Sequence, residues 1–118
     1  MTELANASCV PCRGGVPPLT DAEIAPLMTQ VPGWEVAEVD GVKRLRRTFT
    51  FGDFRAAMAF AVAVGELAER EQHHPDLHIA WGRVTVEVWT HKIRGLHTND
   101  FILAARTNAL AAAAPSRG

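Results

Sequence analysis

Residues Glu69–Asp100 read EREQHHPDLHIAWGRVTVEVWTHKIRGLHTND, and this stretch decides how the rest of the chain is interpreted. Apolar residues alternate with others from 77 to 81 and again from 84 to 88, which predicts two strands. Gly82-Arg83 is expected to form the turn between them, and His91 is expected at the end of the second strand. The stretch contains all 5 histidines of the protein, at positions 73, 74, 78, 91 and 97. Imidazole exchanges protons near neutral pH, with an ordinary pKa of about 6.5, so this clustering indicates chemistry.

A helix is predicted directly before the histidines, over about Phe54 to Gln72. Asp53 is placed to cap its N-terminus, and Pro75 is expected to end it, because the residue before a proline is pushed out of the α region. His73 and His74 then project from the end of this helix. Apolar residues near helical spacing are expected to face the core, namely Phe54, Met58, Ala61, Val62 and Ala68, with Phe60, Val64 and Leu67 beside them.

Shorter elements precede this helix. Thr20 and Glu23 have the spacing of a capping box, which predicts a helix from about Asp21 to Gln30 with Pro26 inside it. Asp40-Gly41 is typical of a type I′ hairpin turn, since both central positions need positive φ. This turn is expected to join two strands, at about Trp34–Val39 and Val42–Phe51.

The end of the chain predicts a last helix and completes the fold class. Thr98 or Asn99 is expected to cap this helix, with Asp100 in its first turn and Phe101, Ile102, Ala105 and Ala109 packing inward. The order helix, hairpin, helix, hairpin, helix indicates an α+β fold. We divide the chain into an irregular arm (1–18), a single domain (19–112) and a tail (113–118).

Composition sets limits on the class of protein. With 118 residues, 47% of them hydrophobic, and a net charge of -1, one soluble globular domain is expected, with no general attraction to nucleic acid or membrane. No secretory signal is evident, so a cytoplasmic location is expected. Cys9 and Cys12 form a Cys-x-x-Cys pair in the proline- and glycine-containing arm, where a mobile or docking arm, a metal shared between subunits and a redox role all stay open.

The residues alone favour acid–base chemistry. The sequence has no serine or cysteine nucleophile beside a base, no phosphate loop and no dinucleotide fingerprint. If the helix end and the strand end converge, imidazoles and the flat surfaces of Trp34, Trp81 and Trp89 would form a pocket for a planar ring compound. Two alternatives stay open. His73, His74, His78 and His91, with Asp76, could bind a metal, although Pro75 disrupts the local spacing. The histidines could also simply be surface residues.

The same residues resemble a known family. Glu69, His73-His74-Pro75, Trp81, His91 and Asp100 occur in the order and spacing of the signature of pterin-4a-carbinolamine dehydratases. The resemblance extends through Pro32-Gly33-Trp34 and Asp40-Gly41 and covers about Thr20 to Leu110.

The resemblance implies a four-stranded antiparallel sheet with helices packed on one face, assembled as a homodimer or homotetramer. It also implies dehydration of 4a-hydroxytetrahydropterin to quinonoid dihydropterin, which recycles the cofactor of aromatic amino acid hydroxylases, with no metal or organic cofactor. His73, His74 and His91 would be the catalytic histidines. The substrate-binding positions would be Trp34, Glu69, Pro75, Trp81 and Asp100.

A second function remains open from the resemblance. Some proteins of this fold are non-catalytic, and dehydratase-like chaperones assist Rubisco assembly, so Rubisco or another client protein is an alternative partner. The basic strand with Lys43, Arg44, Arg46 and Arg47 is expected to be a solvated face or a charged edge strand. Together with the Cys-x-x-Cys arm, it is also where such a partner would dock.

Overall fold

The computed structural model of the protein describes residues 4–7 and 16–113, and within these ranges it has three α-helices and one sheet. The helices are α1 (Asp21–Met28), α2 (Phe54–Glu71) and α3 (Thr98–Ala113). The strands are β1 (Glu35–Val39), β2 (Val42–Thr50), β3 (Asp76–Ala80) and β4 (Arg83–Val88). They pair antiparallel in the order β1-β2-β4-β3, so the predicted α+β class with a four-stranded antiparallel sheet is confirmed.

The first helix and the first hairpin follow their local signals. The Thr20 hydroxyl accepts from the backbone N–H of Glu23, and the Glu23 carboxylate accepts from that of Thr20, which forms the predicted capping box. Pro26 lies inside α1, which ends earlier than predicted, at Met28. Asp40 and Gly41 have φ values of 53° and 78°, so the tight turn between β1 and β2 adopts the predicted left-handed conformation.

Helix α2 begins as predicted and ends by a different mechanism. The Asp53 side chain accepts from the backbone N–H of Ala56, and so it caps the N-terminus. The helix ends at Glu71 because Gln72 adopts the left-handed conformation, with φ 56°, and its N–H donates to the carbonyl of Ala68. The expectation that Pro75 ends the helix is therefore wrong, since the chain has already left the helix three residues earlier.

The buried face of α2 matches the predicted one in five of its eight residues and differs in the other three. Phe54, Met58 and Val62 were expected inside, but they are 48%, 37% and 54% exposed. The buried residues are Ala57, Phe60, Ala61, Val64, Leu67 and Ala68. Small alanines on this side let the helix backbone approach the sheet, and the larger side chains fill the remaining space.

The core lies between the sheet and the helices. Leu45 and Phe49 of β2 pair with Val88 and Val84 of β4, so all four side chains share one face of the sheet and join the buried cluster. Phe101, Leu103 and Ala104 of α3 enter the same cluster with 0% exposure. This packing holds the end of α2, the end of β4 and the start of α3 near one another.

The segment predicted as an irregular arm contributes to the core where the structure describes it. Leu4–Asn6 form a 3-10 turn, Leu4 is only 5% exposed, and its backbone N–H donates to Oε1 of Gln30. Cys9 and Cys12 lie outside the described residues, as do residues 114–118 of the tail. In the ranges 4–7 and 16–113, no helix combines the length and apolar character needed to cross a membrane.

Candidate active site

His73 lies just after α2 and is held by a buried carboxylate. Its Nε2 is 2.6 Å from Oδ1 of Asp100, and these two side chains are 12% and 0% exposed. An ionised carboxylate only accepts hydrogen bonds, so this contact keeps a ring proton on Nε2. In the neutral imidazole the lone pair is then on Nδ1, which is the form needed to take up a proton.

Asp100 joins the start of α3 to the histidine. Its Oδ2 accepts from the backbone N–H of His97 at 2.8 Å, and Nδ1 of His97 accepts from the backbone N–H of Asn99 at 3.0 Å. Because α3 begins at Thr98, His97 is its N-cap: the His97 ring accepts from the second helical residue, and the third, Asp100, accepts from the backbone N–H of His97. The prediction that Thr98 or Asn99 would cap this helix is therefore wrong. His97 therefore has a structural role at the start of α3.

His91 is carried by a closed turn rather than by a strand. Strand β4 ends at Val88, and His91 opens a 3-10 turn that runs to Ile93, which corrects the expected position at a strand end. Thr90 closes this turn by backbone hydrogen bonds with Gly95 in both directions, at 2.9 and 3.4 Å. The ring of His91 meets the Trp89 indole edge-on, with 4.4 Å between centroids.

The three predicted catalytic histidines line one cleft. Its volume is about 290 Å³, and its walls are Gln72, His73, His74, Trp89, Thr90, His91 and Lys92. Nε2 of His74 is 2.5 Å from Oε2 of Glu69, with both side chains largely exposed to solvent. The end of α2 and the turn after β4 therefore bring imidazoles and one indole to the same place.

The predicted substrate-binding residues do not all reach this cleft. Glu69 does not line the cleft, but its carboxylate contacts His74, which does. Pro75 lines a neighbouring groove, and His74 lines both. Trp34 is buried, and its indole N–H donates to Oδ1 of Asn108 at 2.7 Å. Trp81 is 68% exposed in the turn between β3 and β4. Neither Trp34 nor Trp81 lines the cleft in the single chain.

Sequence reasoning missed several residues that support the site. The Thr90 hydroxyl donates to Oδ2 of Asp100 at 2.8 Å, and Thr90 is 3% exposed. Thr90 follows Val84, Val86 and Val88 at steps of two residues, and this spacing along a strand predicts that its side chain also points inward. His97 was also missed as the N-cap of α3, because histidine is not among the residues preferred at that position; the carboxylate three residues later, Asp100, was the usable signal.

Charged residues on the other face of the sheet support Trp89. The Arg44 guanidinium lies 3.8 Å from the centre of the Trp89 ring and also donates to Glu87. Burial raises the pKa of Glu87, but the hydrogen bonds and charges of Arg46 and then Arg44 outweigh it and hold the pKa below its usual range. Arg46 is the closer partner, with Nε 2.5 Å from the carboxylate.

Metal ligation has no matching geometry in the described part of the chain. Across residues 4–7 and 16–113, no three His, Cys, Asp or Glu side chains are grouped so that they could hold a metal ion. His73 and His74 instead direct their Nε2 atoms to Asp100 and Glu69.

Comparisons with known proteins identify the family of the chain. The family profile described as Pterin 4 alpha carbinolamine dehydratase matches residues 17–110. A relative from Chlorobium luteolum, provisionally named a pterin-4-alpha-carbinolamine dehydratase, is 56% identical over 110 residues, covering 93% of this chain and 96% of the relative.

Two solved structures share the fold. One is a transcriptional coactivator/pterin dehydratase from Brucella melitensis, with TM-score 0.72 and 34% identity, covering 80% of this chain and 98% of the other. The second is a pterin dehydratase-like protein identified as a RuBisCO assembly factor in the alpha-carboxysome, with TM-score 0.57 and 24% identity. The match covers 67% of this chain and 89% of the other. Given the span of the profile match and the identity to the Chlorobium protein, the chain belongs to the pterin-4-alpha-carbinolamine dehydratase family.

Proposed function

We propose that this protein converts 4a-hydroxytetrahydropterin to quinonoid dihydropterin and water, and so recycles the pterin cofactor of aromatic amino acid hydroxylases. The observation that carries the proposal is the presence of His73, His74 and His91 in one cleft of about 290 Å³. Family membership supplies the substrate class. The proposal includes no metal or organic cofactor, and a cytoplasmic location stays a prediction.

The geometry supports distinct roles for the histidines. Breaking the bond between C4a and the hydroxyl oxygen requires a proton on that oxygen and the loss of a proton from a ring nitrogen. His73 is the principal acid–base residue, because Asp100 orients its ring and stabilises the charge it gains on taking up a proton. His74 orients the pterin or shares the transfer, and His91 binds and polarises the hydroxyl. The Trp89 indole supplies a flat wall for the pterin ring.

The test is the turnover of His73→Ala. General acid–base catalysis contributes about 10²–10⁴-fold, so kcat should fall by that factor in a continuous dehydratase assay. His78→Ala is the matched control, because His78 is an exposed histidine on β3 that does not line the cleft. Wild-type turnover in His73→Ala would exclude His73 from the mechanism.

A non-catalytic assembly function remains a second candidate. The exposed apolar side chains of Phe54, Met58 and Val62 on α2 favour a protein contact, either with further copies in a homodimer or homotetramer or with a client such as Rubisco. The similarity to the RuBisCO assembly factor, at 24% identity, shows a shared fold. Light scattering gives the oligomeric state. A dehydratase assay beside a pull-down with Rubisco large subunit separates the two functions, since an assembly factor would bind without turnover.

A further inference from the structure

The two oxygens of Asp100 have different partners. Oδ2 accepts from the Thr90 hydroxyl and from the backbone N–H of His97, both at 2.8 Å, whereas Oδ1 faces Nε2 of His73 at 2.6 Å. With 0% exposure, the carboxylate depends on these donors, because a buried charge needs partners in place of water. Two donors on Oδ2 fix the rotation of the carboxylate and so direct Oδ1 at His73.

Thr90 also fixes the start of the turn that carries His91. Its carbonyl accepts from the backbone N–H of Ile93 at 3.3 Å, in addition to the paired contacts with Gly95. Gly95 has no room for a side chain, since a Cβ there would lie 2.6 Å from Cβ of Pro18. The turn is therefore closed tightly at its base, and Thr90, which directly precedes it, is bound to the carboxylate that holds His73.

We propose that Thr90 is a positioning residue of this site, acting through Asp100 on the tautomer of His73 and through the backbone on the placement of His91. The inference rests on the proposed dehydratase function and deepens it. Without the hydroxyl, Oδ2 keeps one donor, the carboxylate rotates more freely, and the preference for a proton on Nε2 of His73 weakens.

Three variants test the role of the hydroxyl. Thr90→Val removes it and keeps the shape, and Thr90→Ser restores it. Thr107→Val is the matched control, because the buried Thr107 hydroxyl donates to the Leu103 carbonyl within α3, outside the site. Thr90→Ala removes the same hydroxyl with less bulk and replaces Thr90→Val if that variant does not fold.

Two readouts separate positioning from structural support. Nitrogen-15 NMR of the His73 ring should show a proton on Nε2 in wild type, Thr90→Ser and Thr107→Val, and mixed tautomers in Thr90→Val. In the dehydratase assay, Thr90→Val should lower kcat by about 10–100-fold and leave KM unchanged. This is the range of effects seen when the hydrogen-bond partners of metal-ligating histidines are mutated. Thr90→Ser should recover most of this loss.

The outcomes distinguish this inference from the proposed function. A wild-type His73 tautomer in Thr90→Val would overturn the inference, as would equal losses of kcat in Thr90→Val and Thr107→Val. If the wild-type protein has no dehydratase activity, the proposed function fails, and the NMR result alone decides whether Thr90 controls the His73 tautomer.

Discussion

Replacing Asp100 by asparagine removes a buried negative charge with almost no change of shape. Oδ2 of Asp100 faces two donors, the Thr90 hydroxyl and the backbone N–H of His97, so the amide oxygen of the variant must take that place. The amide NH₂ group must then face His73. Because an NH₂ group donates only, the ring proton of His73 is forced from Nε2 to Nδ1, and the lone pair is lost from the nitrogen that takes up a proton in the proposed reaction.

The size of the effect follows from the contacts. Three hydrogen bonds to a charged group, worth about 1.5–3 kcal/mol each, become neutral ones worth about 0.5–1.5 kcal/mol each. Removing the buried charge also removes its desolvation cost, so the expected net loss in free energy of unfolding is about 1–3 kcal/mol. Turnover should fall by about 10²–10⁴-fold, because the principal acid–base residue is in the wrong tautomer.

Urea unfolding followed by tryptophan fluorescence, together with a steady-state dehydratase assay, measures both effects. Asp53→Asn is the matched control. Asp53 caps α2 by accepting from the backbone N–H of Ala56 at 2.8 Å, and asparagine caps helices as well as aspartate does. This control should keep wild-type stability and turnover. If Asp100→Asn also keeps wild-type turnover, the contact between Asp100 and His73 does not support the chemistry, and the reasoning is refuted.

Two further variants probe positions outside the cleft. The pKa of Glu87 is lower in the folded protein than in the unfolded chain. Its contribution to stability is therefore present above the unfolded pKa and is lost as pH falls through the folded pKa. Glu87→Gln should flatten the acid side of the stability–pH curve measured by urea unfolding. Trp34→Phe removes the donor to Asn108 and should lower stability by about 1–3 kcal/mol while turnover stays at the wild-type value.

For each of these two variants, one result would contradict the expected outcome. Glu38→Gln, at an exposed position on β1, is the control for Glu87→Gln, and equal curves for the two would show that the Arg46 contact is not the cause. A large loss of turnover in Trp34→Phe, at unchanged stability, would instead support the role in substrate binding that the family resemblance implies.

Local signals were sufficient for the ends and turns of several elements. The capping box of Thr20 and Glu23 and the turn at Asp40-Gly41 are determined by residues within four positions of each other, and both form as predicted. The pairing of β2 with β4 does not depend on such local signals. It places strands from separate hairpins side by side at the centre of the sheet, and no local pattern specifies it.

Periodicity identified only part of the inward face of α2. Apolar residues occur around most of this helix, so more than one stripe has helical spacing, including the exposed one with Phe54, Met58 and Val62. The choice between stripes depends on how closely the helix approaches the sheet, which Ala57 and Ala61 permit. That fit is a property of the packed pair and is absent from the helix sequence alone.

The histidine cluster indicated the site because most of its parts are close in the chain. His73 and His91 are joined through Asp100 and Thr90, all within the stretch that begins at Glu69. The expected contribution of Trp34 comes from a distant segment, and in the single chain that residue packs against Phe49 instead. Proximity in sequence therefore predicted the convergence of the imidazoles and of Trp89, while the position of Trp34 depended on tertiary packing.

One buried carboxylate serves both a helix cap and a histidine, and this links stability to activity at the site. The end of α2, the turn after β4 and the start of α3 each supply one donor to Asp100, from His73, Thr90 and His97. A change to any donor must alter the cap of α3 and the orientation of the ring together, because the carboxylate cannot rotate toward one partner without leaving another. The contact of Arg46 with Glu87 is different, since it joins β2 to β4 without touching a histidine. Loss of the Arg46 side chain, which leaves the contact of Arg44 with Glu87 in place, should change stability alone, whereas variants around Asp100 should change stability and turnover together.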